Sequence, residues 1–358
     1  MHRPNSGDEG TGPRDSIDEF DAIEAMGAQF VAAARARLPE GPLPPVGEVW
    51  IGDDAAVVAS GVDAHVLLAT DLVVQDVHFD LRLCSLEDVG YKAMTVTVSD
   101  LAAMGARPDR ALASIVAPPD IDLQKLASGL AAASETCDCV IVGGDLSGGP
   151  VVVVSVAVYG ALGVEPAVGP LLRSGAMPGD RLFATGPLGG SAAGLRLLRE
   201  GLSDRPGDTK SMLSGIQLPE RSRPPGGPAG GYDRLVLSHR RPRARLDEGE
   251  VARLAGATAA IDVSDGLSAD VGHLARSSGV GISLDTVPVI DGATEEEALH
   301  GGEDYELVVA TPDPGRLTDA YRSARLRPPL PIGWCTGTSG EIVLRGEPLP
   351  PGGWIHRF

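Results

Sequence analysis

Aspartates beside short apolar runs are the residues of this sequence best suited to chemistry. They occur at Asp53, Asp54, Asp71, Asp100, Asp145, Asp262 and Asp265. A carboxylate at the end of a strand is held rigidly and still reaches a ligand. If several of these acids converge, each raises the pKa of the others unless a cation neutralises them. Because Mg²⁺ binds one or two carboxylates together with substrate phosphates, the pattern predicts a site for divalent cations.

Turn and cap chemistry is the alternative for each acid taken singly. Asp-Gly and Gly-Asp pairs are common in turns, and an aspartate after an apolar run often caps a helix. Four or five such clusters in one chain favour the cation site. The glycine-rich segment 186–190 lacks the spacing of a P-loop and indicates a tight strand-to-helix turn. No Ser-His-Asp or Cys-His motif is apparent along the sequence.

Composition narrows the class of protein. A chain of 358 residues exceeds the usual size of one core, so two domains are expected. The formal net charge of -19 argues against nucleic acid or an anionic membrane as partner. No uncharged apolar run is long enough to span a bilayer, and the polar N-terminal segment is not typical of a signal peptide. The 4 cysteines form no paired framework, which predicts reduced thiols and a cytoplasmic protein.

Alternating apolar and helical patterns predict an α/β domain followed by an α+β domain. The expected division is a disordered tail over 1–16, an N-terminal domain over 17–165 and a C-terminal domain over 166–358, with a Pro/Gly-rich insertion at 202–232. The patterns predict helices over 17–38, 123–136, 192–199 and 269–277, and strands over 110–117, 151–159, 181–185 and 307–310. Ser85 is expected to open a further helix through a capping box, Ser191 to cap the helix over 192–199, and the aromatic C-terminus to be docked.

Several motifs in one order resemble the thiamine-monophosphate kinase family. They are Gly-Asp-Asp-Ala-Ala at 52–56, Thr-Asp at 70–71, His-Phe at 78–79, Tyr-Lys-Ala at 91–93, Ser-Asp-Leu-Ala-Ala-Met-Gly-Ala at 99–106, Gly-Gly-Asp at 143–145, Arg-Ser-Gly at 173–175, Asp-Val-Ser-Asp-Gly-Leu at 262–267 and Gly-Glu-Asp-Tyr-Glu-Leu at 302–307. The resemblance runs from about residue 45 to the C-terminus, interrupted by the 202–232 insertion.

The resemblance implies a fold and a reaction. The fold is the two-domain one shared with aminoimidazole ribonucleotide synthetase, selenophosphate synthetase and the hydrogenase-maturation dehydratase. In that superfamily the sheet of the N-terminal domain forms the interface of a homodimer. The implied reaction uses ATP, Mg²⁺ and thiamine monophosphate, and it yields thiamine diphosphate and ADP. Direct transfer without a phosphoenzyme is expected, because the attacking phosphate oxygen is already anionic.

The resemblance also implies roles for individual residues. Magnesium positions are Asp54, Thr70, Asp71, Asp100, Asp145, Asp262 and Asp265, and the catalytic set within them is Asp71, Asp100 and Asp145. Nucleotide contacts are Gly144, Asp145, Arg173 and Ser264, and contacts to the thiamine end are His78, Glu303 and Trp354. By residue type alone, His78 is equally a surface histidine, Glu303 a capping residue and Trp354 a packing residue.

The family pattern is broken in two places. Ala69 replaces a common hydroxyl residue, which removes any side-chain metal contact there, and Leu146-Ser147 replace Thr-Thr. Neither change touches a carboxylate, so activity is expected to survive. The alternatives are another ATP-using enzyme of the superfamily and a non-catalytic nucleotide- or metal-binding protein. No cysteine precedes Cys84 and the chain ends in Arg357-Phe358, which disfavours the selenophosphate and hydrogenase-maturation activities.

Overall fold

The computed structural model describes residues 42, 47–50, 53–59, 65–162, 168–203, 229–350 and 352–354. The tail over 1–16, the helix expected over 17–38 and the part of the insertion over 204–228 lie outside these residues. Residues Gly47–Trp354 form one compact unit. Two sheets organise it, one on each side of the division expected at 165/166.

The first sheet has five strands in the order β1-β2-β5-β3-β4. The strands are β1 (Ala56–Ala59), β2 (His65–Val74), β3 (Arg107–Ala117), β4 (Val140–Gly148) and β5 (Val153–Ala161). Two helices accompany it, α1 (Leu86–Ala103) and α2 (Leu123–Cys137). The pairs β1-β2, β2-β5 and β3-β5 are antiparallel, and β3-β4 is parallel.

Alternation along the strands gives this sheet one buried and one exposed face. On the buried side, Leu67, Val156 and Val158 join the core that also contains residues of α1. On the other side Leu68, Leu72, Leu112 and Tyr159 are all exposed, Leu72 by 50%. The strand register places Leu68 beside Tyr159, and Leu112 pairs with Ala157 on β5. Large contiguous apolar patches are uncommon on the surfaces of monomeric proteins.

Helices α1 and α2 cross at two glycines. A Cβ on Gly90 would lie 2.1 Å from the carbonyl oxygen of Leu126, and one on Gly129 would lie 2.0 Å from that of Glu87. Only hydrogen fits in this space, so the two backbones approach closely. The capping box expected at Ser85 opens α1, with Ser85 Oγ accepting the N–H of Asp88.

The second sheet has seven strands in the order β12-β11-β8-β10-β6-β9-β7. They are β6 (Arg181–Ala184), β7 (Ala259–Asp262), β8 (Gly281–Leu284), β9 (Leu307–Thr311), β10 (Leu330–Thr336), β11 (Ile342–Leu344) and β12 (Glu347–Pro348). Its helices are α3 (Gly190–Ser203), α4 (Ala229–Arg240), α5 (Leu246–Leu254), α6 (Leu267–Ser278), α7 (Glu295–His300) and α8 (Pro314–Ser323).

Buried polar contacts join the two halves. Arg253 on α5 is fully buried, and its Nε donates to the carbonyl oxygen of Gly105, just beyond the end of α1. Ser99 on α1 donates to Asp262 at the end of β7. Helix α1 therefore contributes to both cores and reaches the acidic strand end of the second sheet.

The cap of α3 differs from the one expected. The helix begins at Gly190, so Ser191 lies inside its first turn. The carboxylate of Asp304 accepts the N–H of Gly189 at 2.6 Å and that of Ser191 at 3.2 Å. The expectation for Ser191 was wrong because a residue distant in sequence supplies the cap. Among the described residues, no helix is long and apolar enough to cross a membrane.

Candidate active site

Three carboxylates from three different elements converge between the sheets. Asp54 precedes β1, Asp100 lies on α1 and Asp262 ends β7, and each offers an oxygen within 4.8 Å of the other two. At an effective dielectric constant near 20, such a pair of charges repels by roughly 3 to 4 kcal/mol. Full ionisation of the group therefore needs a compensating cation.

Asp71 on β2 extends this acidic cluster, defined here as Asp54, Asp71, Asp100 and Asp262. Its carboxylate is hydrogen-bonded to Asp100 and is repelled by the negative charge of Asp54. Burial, followed by the charge of Asp54, raises the pKa of Asp71 to about 6. Asp71 and Asp100 are half-buried, which leaves the cluster an open side for a ligand.

The other members of the cluster are perturbed in the same direction. Burial and then the charge of Asp54 raise the pKa of Asp262 to about 7. Burial and the neighbouring acids hold the pKa of Asp100 well above its usual range. Burial also raises the pKa of Asp54, against the opposing charge of Arg173. Acids perturbed by desolvation and by one another are typical of functional sites.

Two groups brace the cluster. Ser99 Oγ donates to Asp262 Oδ2 at 2.6 Å, and Arg173 Nη2 donates to Asp54 Oδ1 at 2.5 Å. The backbone N–H of Arg173 also donates to Asp53 Oδ2 at 3.1 Å. Asp54 Oδ2, in contrast, is buried and has no hydrogen-bond partner. A buried carboxylate oxygen left unpaired beside two further acids fits a divalent cation as its missing partner.

One predicted metal residue lies apart from the cluster. Asp145 is exposed on β4 and pairs with Ser114. Strands β5 and β3 separate it from β2, a distance of about 14 Å at the usual strand spacing. Gly144 is the neighbour of Asp145 on β4. Thr70 lies on β2, and its hydroxyl donates to the carbonyl oxygen of Val156 at 3.0 Å. The roles of Asp145, Gly144 and Thr70 at the site stay predictions.

Asp265 belongs to a second acidic group. Oxygens of Asp265 and Asp270 and a nitrogen of His273 lie within 4.8 Å of one another. Asp270 Oδ2 accepts the backbone N–H groups of Asp265 and Gly266, at 3.2 and 3.0 Å. These bonds brace the turn that opens α6. The carbonyl oxygen of the neighbouring Ser264 accepts the N–H of Glu303 at 2.7 Å, which links the two predicted ligand-binding segments.

Glu303 is the centre of a buried polar network. Its Oε1 lies 2.5 Å from Lys92 Nζ on α1, and its Oε2 lies 3.4 Å from His239 Nδ1 on α4. Burial raises the pKa of the Glu303 carboxyl, but the charge of Lys92 and the hydrogen bond from His239 outweigh it and lower the value to about 2. Glu303 is therefore an anion at all physiological pH values.

Lys92 connects Glu303 to the second predicted thiamine contact. Its ammonium also donates to the carbonyl oxygen of His78 at 3.3 Å. His78 Nδ1 accepts the backbone N–H of Val74 at 3.0 Å, so a neutral His78 ring carries its proton on Nε2. The Trp354 residue is 52% exposed, and its backbone N–H donates to the carbonyl oxygen of Asp265. Of the C-terminal aromatic residues that were expected to be docked, the structure describes only Trp354.

Three residues that contact the candidate site residues were not singled out by the sequence analysis: Ser99, Lys92 and His239. Lys92 did carry a signal, because a lysine inside the apolar helix pattern 89–98 must find a buried partner. Ser99 lies beside a predicted acid. Nothing local marks His239, which reaches Glu303 only through the packing of α4.

Comparisons with known proteins agree with this geometry. The chain matches the N-terminal domain of AIR synthase related proteins over residues 52–162 and the C-terminal domain over residues 177–344. The thiamine-monophosphate kinase of Bacillus subtilis (strain 168) is 31% identical over 81% of this chain and 82% of its own length. That of Salmonella typhimurium is 36% identical over 75% of this chain and 78% of its own length.

A solved structure resembles the whole chain. It is AaThiL complexed with AMPPCP and TMP, which superposes with a TM-score of 0.73 at 30% identity and covers 95% of this chain and 97% of that one. The two-domain α/β plus α+β fold predicted from sequence is thereby confirmed. The chain belongs to the thiamine-monophosphate kinase family of AIR synthase related proteins.

Proposed function

We propose that this chain transfers the terminal phosphoryl group of ATP to the phosphate of thiamine monophosphate, forming thiamine diphosphate and ADP. Family membership supports the reaction, and AaThiL has been solved with AMPPCP and TMP, a nucleotide and a second ligand. The observation that carries the proposal is the acidic cluster, with its unpaired Asp54 oxygen, in the same unit as the anionic Glu303.

The chemistry of the reaction suits these residues. The attacking group is a phosphate oxygen that is already anionic, so no side-chain base is needed. The obstacle is the approach of two anions. Mg²⁺, when bound, would neutralise charge on the phosphates. Asp54, Asp71, Asp100 and Asp262 are the residues that would hold it, and Ser99 keeps Asp262 oriented toward them.

Arg173 is the proposed nucleotide contact nearest the cluster. Its guanidinium is permanently charged and lies against Asp54. An arginine fork recognises phosphate oxygens well, so this group can bind the nucleotide while its backbone N–H stays fixed by Asp53. We propose Gly144, Asp145 and Ser264 as further nucleotide contacts on the family motif, and Thr70, Asp145 and Asp265 as further magnesium ligands.

Glu303 and His78 are the proposed contacts for the thiamine end. Thiamine carries a cationic thiazolium ring, and a carboxylate that remains ionised attracts it. Lys92 holds both contacts through Glu303 Oε1 and the His78 carbonyl. Trp354 offers an exposed aromatic surface and is proposed as a third contact.

We further propose that the enzyme is a homodimer, joined through the exposed apolar face of the first sheet (Leu68, Leu72, Leu112 and Tyr159). We also propose that it works in the cytoplasm. All 4 cysteines are buried and free, as suits a reducing compartment. The formal net charge of -19 disfavours binding to nucleic acid or an anionic membrane.

The deciding experiment measures thiamine diphosphate formed from thiamine monophosphate and ATP, with Mg²⁺ and with EDTA. Product that depends on magnesium supports the proposal. ATP binding without product refutes it and indicates a sister activity or a binding protein. A phosphorylated enzyme trapped with labelled ATP alone would refute direct transfer.

Two asparagine variants test the proposed acids. Asp71→Asn removes a charge from the cluster, and Asp145→Asn removes one from β4. We expect turnover to be lost in both while the protein remains folded, and Asp138→Asn in the turn after α2 is the control. Near-normal turnover in Asp145→Asn would remove that residue from the site and leave the cluster intact.

A further inference from the structure

We propose that His239 and Ser191 are positioning residues that orient the carboxylate of Glu303 toward the thiamine end of the substrate. The inference rests on the proposed function and adds two residues to it. Neither belongs to the motifs that carry the family resemblance. Both come from the helices that flank the 204–228 segment, Ser191 from α3 and His239 from α4.

The contacts around Glu303 occupy both of its oxygens. Lys92 binds Oε1, whereas Ser191 Oγ and His239 Nδ1 each lie 3.4 Å from Oε2. Ser191 Oγ and His239 Nδ1 are themselves 3.0 Å apart. The partners are buried, and the Glu303 side chain retains 26% exposure. Three donors therefore hold the carboxylate from behind, and its open side remains available to a ligand.

The network has one consistent pattern of protons. Burial and the charge of Lys92 lower the pKa of His239, so the imidazole is neutral near pH 7. With the proton on Nδ1, His239 shares that N–H between Glu303 Oε2 and Ser191 Oγ, and the Ser191 hydroxyl donates to Glu303 Oε2. A neutral His239 also leaves Lys92 and Glu303 without net charge, which spares a cationic thiazolium ring from repulsion.

The arrangement is not that of a nucleophilic serine. In such a triad the serine and the acid contact opposite nitrogens of the imidazole ring, whereas here both lie at Nδ1. Ser191 is also only 1% exposed, so no substrate reaches its hydroxyl. Its remaining role is to hold Glu303.

The backbone of the network is fixed on both sides. Glu303 adopts a left-handed φ of 57°, which a non-glycine residue holds only when its surroundings require it. The carboxylate of Asp304 accepts the backbone N–H of Ser191.

Helix α4 is tied to α1 by the residue that follows it. The Arg241 guanidinium lies 2.6 Å from the Asp88 carboxylate and 5.6 Å from the ring centre of Tyr91. These contacts set the position of His239 relative to α1 and Glu303.

Steady-state kinetics and calorimetry of three variants test the proposal. His239→Ala and Ser191→Ala remove donors, and His239→Asn keeps an amide N–H near the place of Nδ1. Leu237→Ala, an exposed position on the same helix, is the matched control. Because each alanine variant removes a hydrogen bond to a charged carboxylate, we expect KM for thiamine monophosphate to rise about 10- to 100-fold in both alanine variants.

The pattern across substrates separates positioning from damage to the fold. KM for ATP and kcat should stay within about twofold of the parent, since uniform loss of substrate binding raises KM alone. His239→Asn should recover most of the affinity. An unchanged KM for thiamine monophosphate in folded His239→Ala and Ser191→Ala overturns the inference, as does an equal rise in both KM values.

A binding measurement tests the role of His239 and Ser191 independently of whether the chain catalyses the proposed reaction. Calorimetric titration of thiamine monophosphate into the parent and the variants needs no turnover. If the parent forms no thiamine diphosphate, the proposed reaction fails, and the affinities still decide the role of His239. Equal affinities of the parent, His239→Ala and Ser191→Ala for thiamine monophosphate would overturn the inference.

Discussion

At the scale of single residues, one partner of the acidic cluster carries no charge. Ser99 is fully buried and bonds Asp262, which lies 163 positions away in sequence. Groups that orient metal ligands commonly change metal affinity or activity 10- to 100-fold when removed. The serine hydroxyl fixes the carboxylate in one rotamer, and an apolar replacement leaves it free to turn.

Ser99→Ala should therefore raise the Mg²⁺ concentration needed for half-maximal turnover by about 10- to 100-fold. Thr97→Val is the control, because Thr97 is equally buried on α1 but its hydroxyl bonds a main-chain carbonyl, that of Ala93. Magnesium titrations of turnover give the comparison. Equal magnesium dependence in the two variants would show that Ser99 does not orient Asp262.

The same acids predict how stability depends on pH. Asp53 and Asp71 have pKa values of about 6 and Asp262 of about 7 in the folded chain, all raised from the usual 3.8. Between pH 4 and 7 the folded state thus binds more protons than the unfolded state. The free energy of unfolding must fall as pH rises through this window. The lowered pKa values of His239 and Glu303 oppose this trend, that of Glu303 only at the acidic end of the window.

Without metal, the thermal midpoint should therefore be higher at roughly pH 5.5, which lies inside this window, than at roughly pH 8, which lies above it. Saturating Mg²⁺ should raise the midpoint chiefly at pH 8, because binding to the ionised acids replaces the protons. Asp262→Asn should flatten the metal-free slope. A metal-free midpoint that rises from the lower to the higher pH would contradict this account of the cluster.

At the scale of elements, the crossing of α1 and α2 positions Lys92, Ser99 and Asp100 together. Helix propensity alone favours alanine over glycine by about 1 kcal/mol. At Gly90 the added methyl group would meet the Leu126 carbonyl oxygen at 2.1 Å, and backbone cannot turn aside as a side chain does. The steric cost of overpacking, about 1–3 kcal/mol or more, outweighs the gain in propensity.

Gly90→Ala should consequently lower the free energy of unfolding by about 1–3 kcal/mol. Gly272→Ala on α6 is the matched control, since its methyl group would meet only Ile342 Cδ1 at 3.5 Å. That variant should be neutral or stabilising by up to about 1 kcal/mol. Urea unfolding of both proteins decides the matter, and equal stabilisation of the two would refute the close crossing.

At the scale of the whole molecule, the first sheet presents apolar side chains on the face away from its core. Leu72 on that face is 50% exposed. A second copy of the chain is the partner proposed above, and it would bury the same patch on both subunits. A charge placed there must be desolvated on association and finds no partner.

Leu72→Glu should therefore shift the protein from dimer to monomer in analytical ultracentrifugation. Leu254→Glu, at an exposed leucine on α5, should leave the association unchanged. Monomeric parent protein, or an unaltered dimer in Leu72→Glu, would show that this face is not the interface.

Local patterns in the sequence were enough to predict the acids, most elements and the family. An aspartate after an apolar run, the capping box at Ser85 and the helix starting at Leu123 depend on neighbours in the chain. Such short-range chemistry is readable without coordinates because one turn or one strand end determines it. The ordered motifs then specified the two-domain fold.

Only the tertiary structure decided which side chains meet. Asp304 rather than Ser191 caps α3, His239 reaches Glu303, and Asp145 lies on a strand away from the cluster. These outcomes depend on how elements far apart in sequence pack, and no local pattern encodes that packing. The sequence determined that the aspartates and Glu303 would be available. The packing of α1 between the two sheets determined which of these side chains lie together.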